Sequence, residues 1–241
     1  MESTESRYKE VRVGLDEPAP EHHQVGNRPE LGYILPFAVF IAFLGLKSIV
    51  AVPEYLRFAV LIAAIAIFSR KLIAVRPSRL VLSVLVGIAV FFLWIGPDAL
   101  IPGYRNFFLF SNAIVGHPAA STAAGDKISM SFLLFRVLVS VIAVPILEEL
   151  FWRGWLMRWI ANNRFTTIPI GTWNAEAFWI VALLFASEHG SYWDVGLLTG
   201  MIYNYWAIRT HNLMDCIIVH AVTNACLAAY VIGWNQWQFW L

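Results

Sequence analysis

The stretch "VPILEELFWRGWLMRW", residues 144–159, places Glu148, Glu149 and Arg153 in a run that is rich in Leu, Ile, Phe and Trp. Charged groups inside such an apolar run are costly to bury and usually mark a functional site or pathway. On an α-helix, Glu149 and Arg153 lie on one face, four residues apart, and can form an ion pair. Glu148 points about 100° away from Glu149. We therefore expect Arg153 to neutralise Glu149, as a supporting pair, and Glu148 to face a central cavity.

The composition of the whole chain is that of a membrane protein. Of its 241 residues, 59% are hydrophobic and 14% are charged, whereas soluble domains contain about 25% charged residues. The lipid bilayer is therefore an expected partner. The net charge is +1, which leaves no basic face of the kind that nucleic-acid-binding proteins show, so that class of partner is excluded.

Seven apolar runs approach the length of about 17 to 25 helical residues that crosses a bilayer. They predict an all-α, polytopic transmembrane helical bundle of seven or eight helices with an intramembrane catalytic cavity. The eighth helix would be the short apolar piece at 107–115, which could also be re-entrant, interfacial or a lid. Breaks are expected at Pro53, Pro77, Pro97, Pro102 and Gly190. The runs are 31–50, 54–69, 80–96, 128–160, 174–189, 193–209 and 213–232.

The chain divides into two parts by polarity. Residues 1–30 are polar and contain Pro, which predicts a disordered cytoplasmic tail, and residues 31–241 are expected to form one membrane domain. With seven spans and the N-terminus inside, most Lys and Arg residues fall on the inner side, as the positive-inside rule requires. The outer side then carries Lys47, Arg57, Arg105 and Lys127. An eighth span makes this bias much weaker, so seven spans are favoured.

Polar residues in three different spans are predicted to lie inside the hydrocarbon region. They occur in "EELFWR" at 148–153, "FASEHG" at 185–190 and "HAVTN" at 220–224. A rise of 1.5 Å per residue along untilted helices gives depths of about 20 Å for Glu148, 22 Å for His189, 16 Å for Asn224 and 10 Å for His220. A carboxylate, two imidazoles and an amide at such depths are the groups that a buried hydrolytic site needs. Taken alone, His189, His220 and Asn224 are each more often structural, and only their joint occurrence favours a site.

Glu188 and the aromatic C-terminal segment are not expected to take part in the chemistry. Glu188 points about 100° away from His189 on a helix, so it is expected to support the site at most. The terminal "WNQWQFWL", residues 234–241, is typical of an aromatic belt at the membrane interface.

The same residues resemble a known family. "EELFWRG" has the form EExxxRG, "FASEH" the form FxxxH and "HAVTN" the form HxxxN, in that order. The chain resembles the CPBP family of intramembrane proteases, which contains the CAAX prenyl endopeptidases and the bacterial bacteriocin-processing and immunity proteins often labelled Abi. The resemblance covers about residues 130–232.

The resemblance implies a membrane endopeptidase with its site in a cavity within the bilayer. Glu148 would be the general base that activates water, helped by His189, while His220 and Asn224 would stabilise the oxyanion and Glu149 and Arg153 would shape the site. The family implies a divalent metal such as zinc, held by Glu148, His189 and His220. The sequence has no H-E-x-x-H motif, so these residues could form a three-ligand site or work without metal, and a metal-dependent mechanism is slightly favoured.

The expected function is therefore hydrolysis of a peptide bond in a membrane-associated or lipid-modified protein or peptide. The expected location is a bacterial cytoplasmic (inner) membrane, with the N-terminus inside. Two other hypotheses use the same residues: a proton- or solute-coupled transporter with a carboxylate–histidine relay, and a catalytically silent immunity or scaffold protein. The oligomeric state does not follow from the sequence.

Overall fold

The computed structural model describes residues 28–46, 49–73, 76–117 and 129–240. Within these ranges the protein is all-helical, without a β-strand, and forms seven long helices. The all-α prediction is thereby confirmed. The helices are α1 (Leu31–Leu46), α2 (Glu54–Ala64, continued by a π-helical turn at Ile65–Ser69), α3 (Leu80–Leu100), α4 (Met130–Ala161), α5 (Ala175–Ser187), α6 (Trp193–Thr210) and α7 (Leu213–Trp234).

The short apolar piece at 107–115 does not form an eighth helix. It consists of turns and one isolated bridge between Asn112 and Gly116. The predicted break at Pro97 was wrong, because α3 continues to Leu100. A proline in the last turn of a helix removes only one backbone hydrogen bond, which the helix tolerates near its end. The tail predicted for residues 1–30 lies outside the described residues except for 28–30.

The distribution of side chains suits a bilayer. Helices α3, α4 and α7 are long and apolar enough to cross a membrane, and α1 and α5 are shorter apolar helices. Large apolar side chains such as Val81, Leu85 and Phe92 point outward and are exposed, while Glu149 and Arg153 are completely buried. Apolar exteriors around a charged interior are expected where the surrounding solvent is lipid. The protein is an integral membrane protein.

Helices α3 and α7 run parallel and pack closely in the bundle. A Cβ atom at Gly87 would lie 2.7 Å from the carbonyl oxygen of Val219, so the close approach requires glycine there. At the start of both helices, the carboxylate of Asp215 accepts hydrogen bonds from the backbone N–H groups of Ser78 and Arg79. Asp215 therefore caps the N-terminus of α3 from the neighbouring helix.

The loop after α3 is fixed to the junction between α5 and α6. Arg105 is buried, and its Nε lies 3.0 Å from Asp98 Oδ2. Its Nη1 donates to Asp194 and, at 2.8 Å, to the carbonyl of Ser191. These bonds hold the short turn that follows His189.

Helix α4 changes its winding around the two glutamates. It is π-helical at Val139–Ala143 and Leu150–Leu156, and α-helical at Val144–Glu149 between them. Such π-helical stretches are rare and occur frequently at functional sites, because they alter the direction of side chains and release backbone carbonyls.

Candidate active site

The adjacent glutamates of α4 have different surroundings. The predicted ion pair is confirmed, with Arg153 Nη1 3.0 Å from Glu149 Oε1. The same oxygen of Glu149 lies 3.0 Å from His220 Nδ1, a contact that the sequence did not predict. Glu149 therefore links Arg153 on α4 to His220 on α7.

Arg153 is held on several sides. Its Nε donates to Asn204 Oδ1 at 2.9 Å, and its Nη2 donates to the carbonyl of Gly200 at 3.2 Å. The guanidinium also lies 4.8 Å from the ring centre of Phe185. Neither Arg153 nor Glu149 lines the cavity described below, so both lie behind its wall. Asn204 was missed in the sequence, where a single Asn in an apolar helix was the available signal.

Glu148 is buried and lines the cavity. Its Oε2 lies 4.0 Å from His220 Nε2 and has no hydrogen-bond partner among the described residues. Buried polar atoms are almost always paired, so an unpaired carboxylate oxygen on a residue that lines a cavity indicates a functional role. The estimate from straight, untilted helices separated Glu148 and His220 by about 10 Å in depth. Their side chains nevertheless approach to 4.0 Å.

The two histidines are oriented by different acceptors. His189 follows the end of α5, and its Nδ1 lies 2.7 Å from the carbonyl oxygen of Phe185. A carbonyl only accepts, so Nδ1 carries the hydrogen and a neutral His189 keeps its lone pair on Nε2. In the same way, the Nδ1 of His220 donates to Glu149, which leaves Nε2 to face Glu148. A hydrogen-bond acceptor at one ring nitrogen fixes the orientation of the ring, and with it the direction of the other nitrogen.

Asn224 lies one helical turn after His220 on α7. One N–H of its amide donates to the carbonyl oxygen of Ser140 at 2.7 Å. Ser140 belongs to the first π-helical stretch of α4, where backbone carbonyls are less fully used by the helix itself. The second N–H of the Asn224 amide is left for another acceptor.

One cavity of about 310 Å³ brings the predicted residues together. Glu148, His189, His220 and Asn224 all line it, from three segments: α4, the turn after α5, and α7. Glu188 also lines the cavity. It therefore lies nearer to the site than was expected from its direction about 100° away from His189 on a helix.

The cavity has walls that the sequence did not predict. Phe239 and Trp240 are buried and line it, so the interpretation of residues 234–241 as an interface belt holds for the exposed Trp234 and was wrong for these two side chains. The chain turns back after α7 and packs its last aromatic residues into the bundle. Arg57 and Arg136 line the cavity as well. In the sequence, the available signal for a charged cavity wall was Arg136, a charged residue inside an apolar run.

The side chains expected to hold a metal do not form a ready metal site. No group of three or more His, Cys, Asp or Glu side chains is arranged to hold an ion in the part of the chain that the structure describes. The Nδ1 of His189 donates to a carbonyl, which leaves its Nε2 as the nitrogen that could bind an ion. A divalent ion held by Glu148, His189 and His220 stays a prediction.

The fold and the cavity first define a class: a helical membrane protein that buries a carboxylate, two imidazoles and an amide in one cavity within its bundle. The family model described as Rce1-like, "Type II CAAX prenyl endopeptidase Rce1-like", matches residues 130–226, which include all six predicted site residues. Residues 130–226 are thus similar to an Rce1-like domain, and the predicted resemblance to the CPBP family of CAAX-type intramembrane proteases is confirmed for that segment. No curated protein and no solved structure matches the chain.

Proposed function

We propose that this protein is an intramembrane endopeptidase that hydrolyses a peptide bond in a membrane-associated or lipid-modified protein or peptide. The observation that carries the proposal is that Glu148 lines the cavity and has a buried oxygen without a partner among the described residues, 4.0 Å from His220 Nε2. A carboxylate placed in this way can take a proton from water as a general base. The Rce1-like domain favours a peptide bond as the substrate.

In the first step, Glu148 removes a proton from a water molecule while the water oxygen attacks the scissile carbonyl carbon. His189 assists, because its Nε2 lone pair can accept a hydrogen bond from the same water or receive its proton. The proton then passes to the leaving amine as the carbon–nitrogen bond breaks. General acid–base catalysis of this kind contributes about 10² to 10⁴ in rate.

The developing oxyanion is stabilised from α7. The Nδ1 of His220 is bonded to Glu149, and its Nε2, on the side of Glu148, would be the nitrogen that donates to the oxyanion. The second N–H of Asn224, four residues later on the same face, provides another donor. Donors held in place before the reaction stabilise developing charge at little reorganisation cost. Glu149 and Arg153 act by holding His220.

A divalent ion such as zinc, making the protein a metalloendopeptidase, stays a prediction from the resemblance. Because Glu148, His189 and His220 are not arranged as a ligand set, every step above is assigned to protein groups and water.

An inner-membrane location with the N-terminus inside is supported by the surroundings of the basic residues. Arg57 and Arg105 fall on the predicted outer side, and both are buried in ion pairs instead of facing solvent. Arg76, Arg79 and Arg209 fall on the predicted inner side and are exposed. Exposed basic residues near the ends of spans set membrane orientation, so the bias is stronger than the sequence count suggested.

The function is tested with purified protein in proteoliposomes, incubated with a peptide library whose products are identified by mass spectrometry. Wild-type protein should cleave, and Glu148→Ala, His189→Ala and His220→Ala should each abolish cleavage while the protein still inserts. Full activity in Glu148→Ala would overturn the proposal. Solute uptake into sealed vesicles without cleavage would indicate the transporter, and a deletion strain that accumulates no precursor would indicate the silent scaffold.

A further inference from the structure

The loop that follows α3 presents an apolar surface that the proposed mechanism does not use. Residues 101–116, which we name the apolar loop, form turns around one short 3₁₀ helix at Tyr104–Asn106. Their large apolar side chains point outward, and the most exposed are Phe108 at 79% and Ile114 at 95%. An extended apolar surface usually marks a contact with another protein or with a membrane.

The outer surface of the apolar loop carries no formal charge. Arg105 is the one charged residue at 101–116. It is buried and paired with Asp98 and Asp194, so its charge is neutralised on the inner side of the loop. The outer surface therefore offers no charge with which to bind a charged protein or the headgroup of an anionic lipid.

The length of α3 places the apolar loop at the edge of the bilayer. The helix has 21 residues, which gives a length of about 31 Å, and the hydrocarbon core is about 30 Å thick. Leu100 at the end of α3 and Ile101 at the start of the loop are both exposed. The apolar exterior of a predicted span thus continues directly into the loop, at the depth where apolar side chains can enter the boundary between headgroups and acyl chains.

The backbone of the apolar loop needs water nearby. The N–H groups of Phe108 and Leu109 have no hydrogen-bond partner among the described residues. Unpaired backbone groups that face lipid are not tolerated in the hydrocarbon core, where no water can pair with them. A re-entrant path of this segment into the core is therefore disfavoured, whereas the headgroup region provides the water that these groups need.

The inner side of the apolar loop is fixed to the turn after His189. The indole Nε1 of Trp193 donates to the carbonyl oxygen of Leu109 at 2.9 Å. A Cβ atom at Gly190 would lie 3.1 Å from the carbonyl oxygen of Val115, so the loop lies directly against the residue after His189. Contacts at both of these points make the loop a fixed element and not a lid that opens.

We propose that the apolar loop is an interfacial anchor. Its exposed phenylalanine, leucine and isoleucine side chains insert among phospholipid acyl chains just below the headgroups, on the outer side in the predicted orientation, while its backbone stays at headgroup level. The anchor ties the turn after His189 to the membrane surface. Because the outer surface is uncharged, a neutral phospholipid is sufficient, and anionic lipid should add nothing.

The test measures the depth of the loop with the fluorophore NBD in phosphatidylcholine proteoliposomes. Cys226→Ala removes the partly accessible thiol, and Cys216 is buried, so Phe108→Cys and Ile114→Cys can each be labelled alone. The quenchers are 5-doxyl-phosphatidylcholine, 12-doxyl-phosphatidylcholine and aqueous iodide. The 5-doxyl lipid should quench both loop probes at least about twofold more strongly than either other quencher, with or without added phosphatidylglycerol. Asn163→Cys, at an exposed position after α4, is the matched control and should respond to iodide alone.

Every other pattern of quenching contradicts the anchor. Iodide quenching at Phe108→Cys as strong as at Asn163→Cys would show that the loop faces water. Stronger quenching by the 12-doxyl lipid would show a re-entrant segment, and quenching that requires phosphatidylglycerol would show binding to charged headgroups. Loop probes that no quencher reaches would show that protein covers the loop, and a dependence on the protein-to-lipid ratio would identify a second copy of the chain. If Phe108→Cys does not fold, Ile114→Cys decides, and neither measurement depends on cleavage.

Discussion

Two parts of the cavity wall hold buried charge in different ways. In the part formed by Glu148 and His220, Glu148 keeps an oxygen without a partner among the described residues. In the part formed by Arg57 and Arg136, both guanidinium groups approach one oxygen of Glu54. An unpaired carboxylate oxygen can accept a proton, whereas guanidinium groups stay charged and pair with an anion. The difference assigns the chemistry to the part that contains Glu148.

The largest expected effect comes from removing the charge behind the part of the wall that contains Glu148. Arg153→Met leaves Glu149 buried without its cation, so the free energy of unfolding should fall by about 3 to 5 kcal/mol, and cleavage should be lost. Thermal unfolding in detergent measures this. Arg209→Met, at an exposed position of α6, should change stability by no more than about 0.5 kcal/mol. A variant Arg153→Met as stable as wild type would show that the Glu149 pair does not support the site.

The sequence predicted the fold closely because its signals were local. These signals are span length, the positions of proline and glycine, and helix phase, and each depends on neighbouring residues. Among the described residues, seven helices form where seven apolar runs were predicted. The Glu149–Arg153 ion pair was predicted from the same kind of signal, a separation of four residues on a helix. The bond from Glu149 to His220 did not, because it joins residues 71 positions apart and depends on how α4 and α7 cross.

Other parts of the site also depended on tertiary packing. Glu54 and Arg57 belong to α2, while Arg136 belongs to α4, and nothing in either segment indicates that they meet. The burial of Trp240 requires the chain to turn back onto the bundle after α7. The π-helical stretches of α4 likewise have no sequence signal that a simple 3.6-residue period detects.

A smaller effect is expected from crowding His189. A Cβ atom at Gly196 would lie 3.1 Å from His189 Nδ1, so Gly196→Ala should displace the imidazole and lower kcat several-fold, up to about tenfold. Gly233 on α7 has open space around its Cβ position, which makes Gly233→Ala the matched control. Its kcat should equal that of wild type. If both variants retain the wild-type kcat, the position of His189 does not limit the reaction.

The smallest effect is expected from removing metal. Because the acidic and histidine side chains of the described residues do not form a ligand set, EDTA and 1,10-phenanthroline should leave the cleavage rate unchanged. The purified protein should then contain less than one zinc ion per chain. Cleavage that disappears with chelator and returns with zinc would restore the metalloprotease prediction and require Glu148, His189 and His220 to move together.

The most direct measurement of the central claim compares the two glutamates that line the cavity. Glu148→Gln and Glu188→Gln change a carboxylate to an amide of nearly the same shape, and both are assayed in proteoliposomes on one peptide that wild type cleaves. Glu148→Gln should lower kcat by about 10² to 10⁴, while Glu188→Gln should lower it by less than about tenfold. Near-normal cleavage by Glu148→Gln, or an equal loss in both variants, would contradict the assignment of Glu148 as the base that activates water.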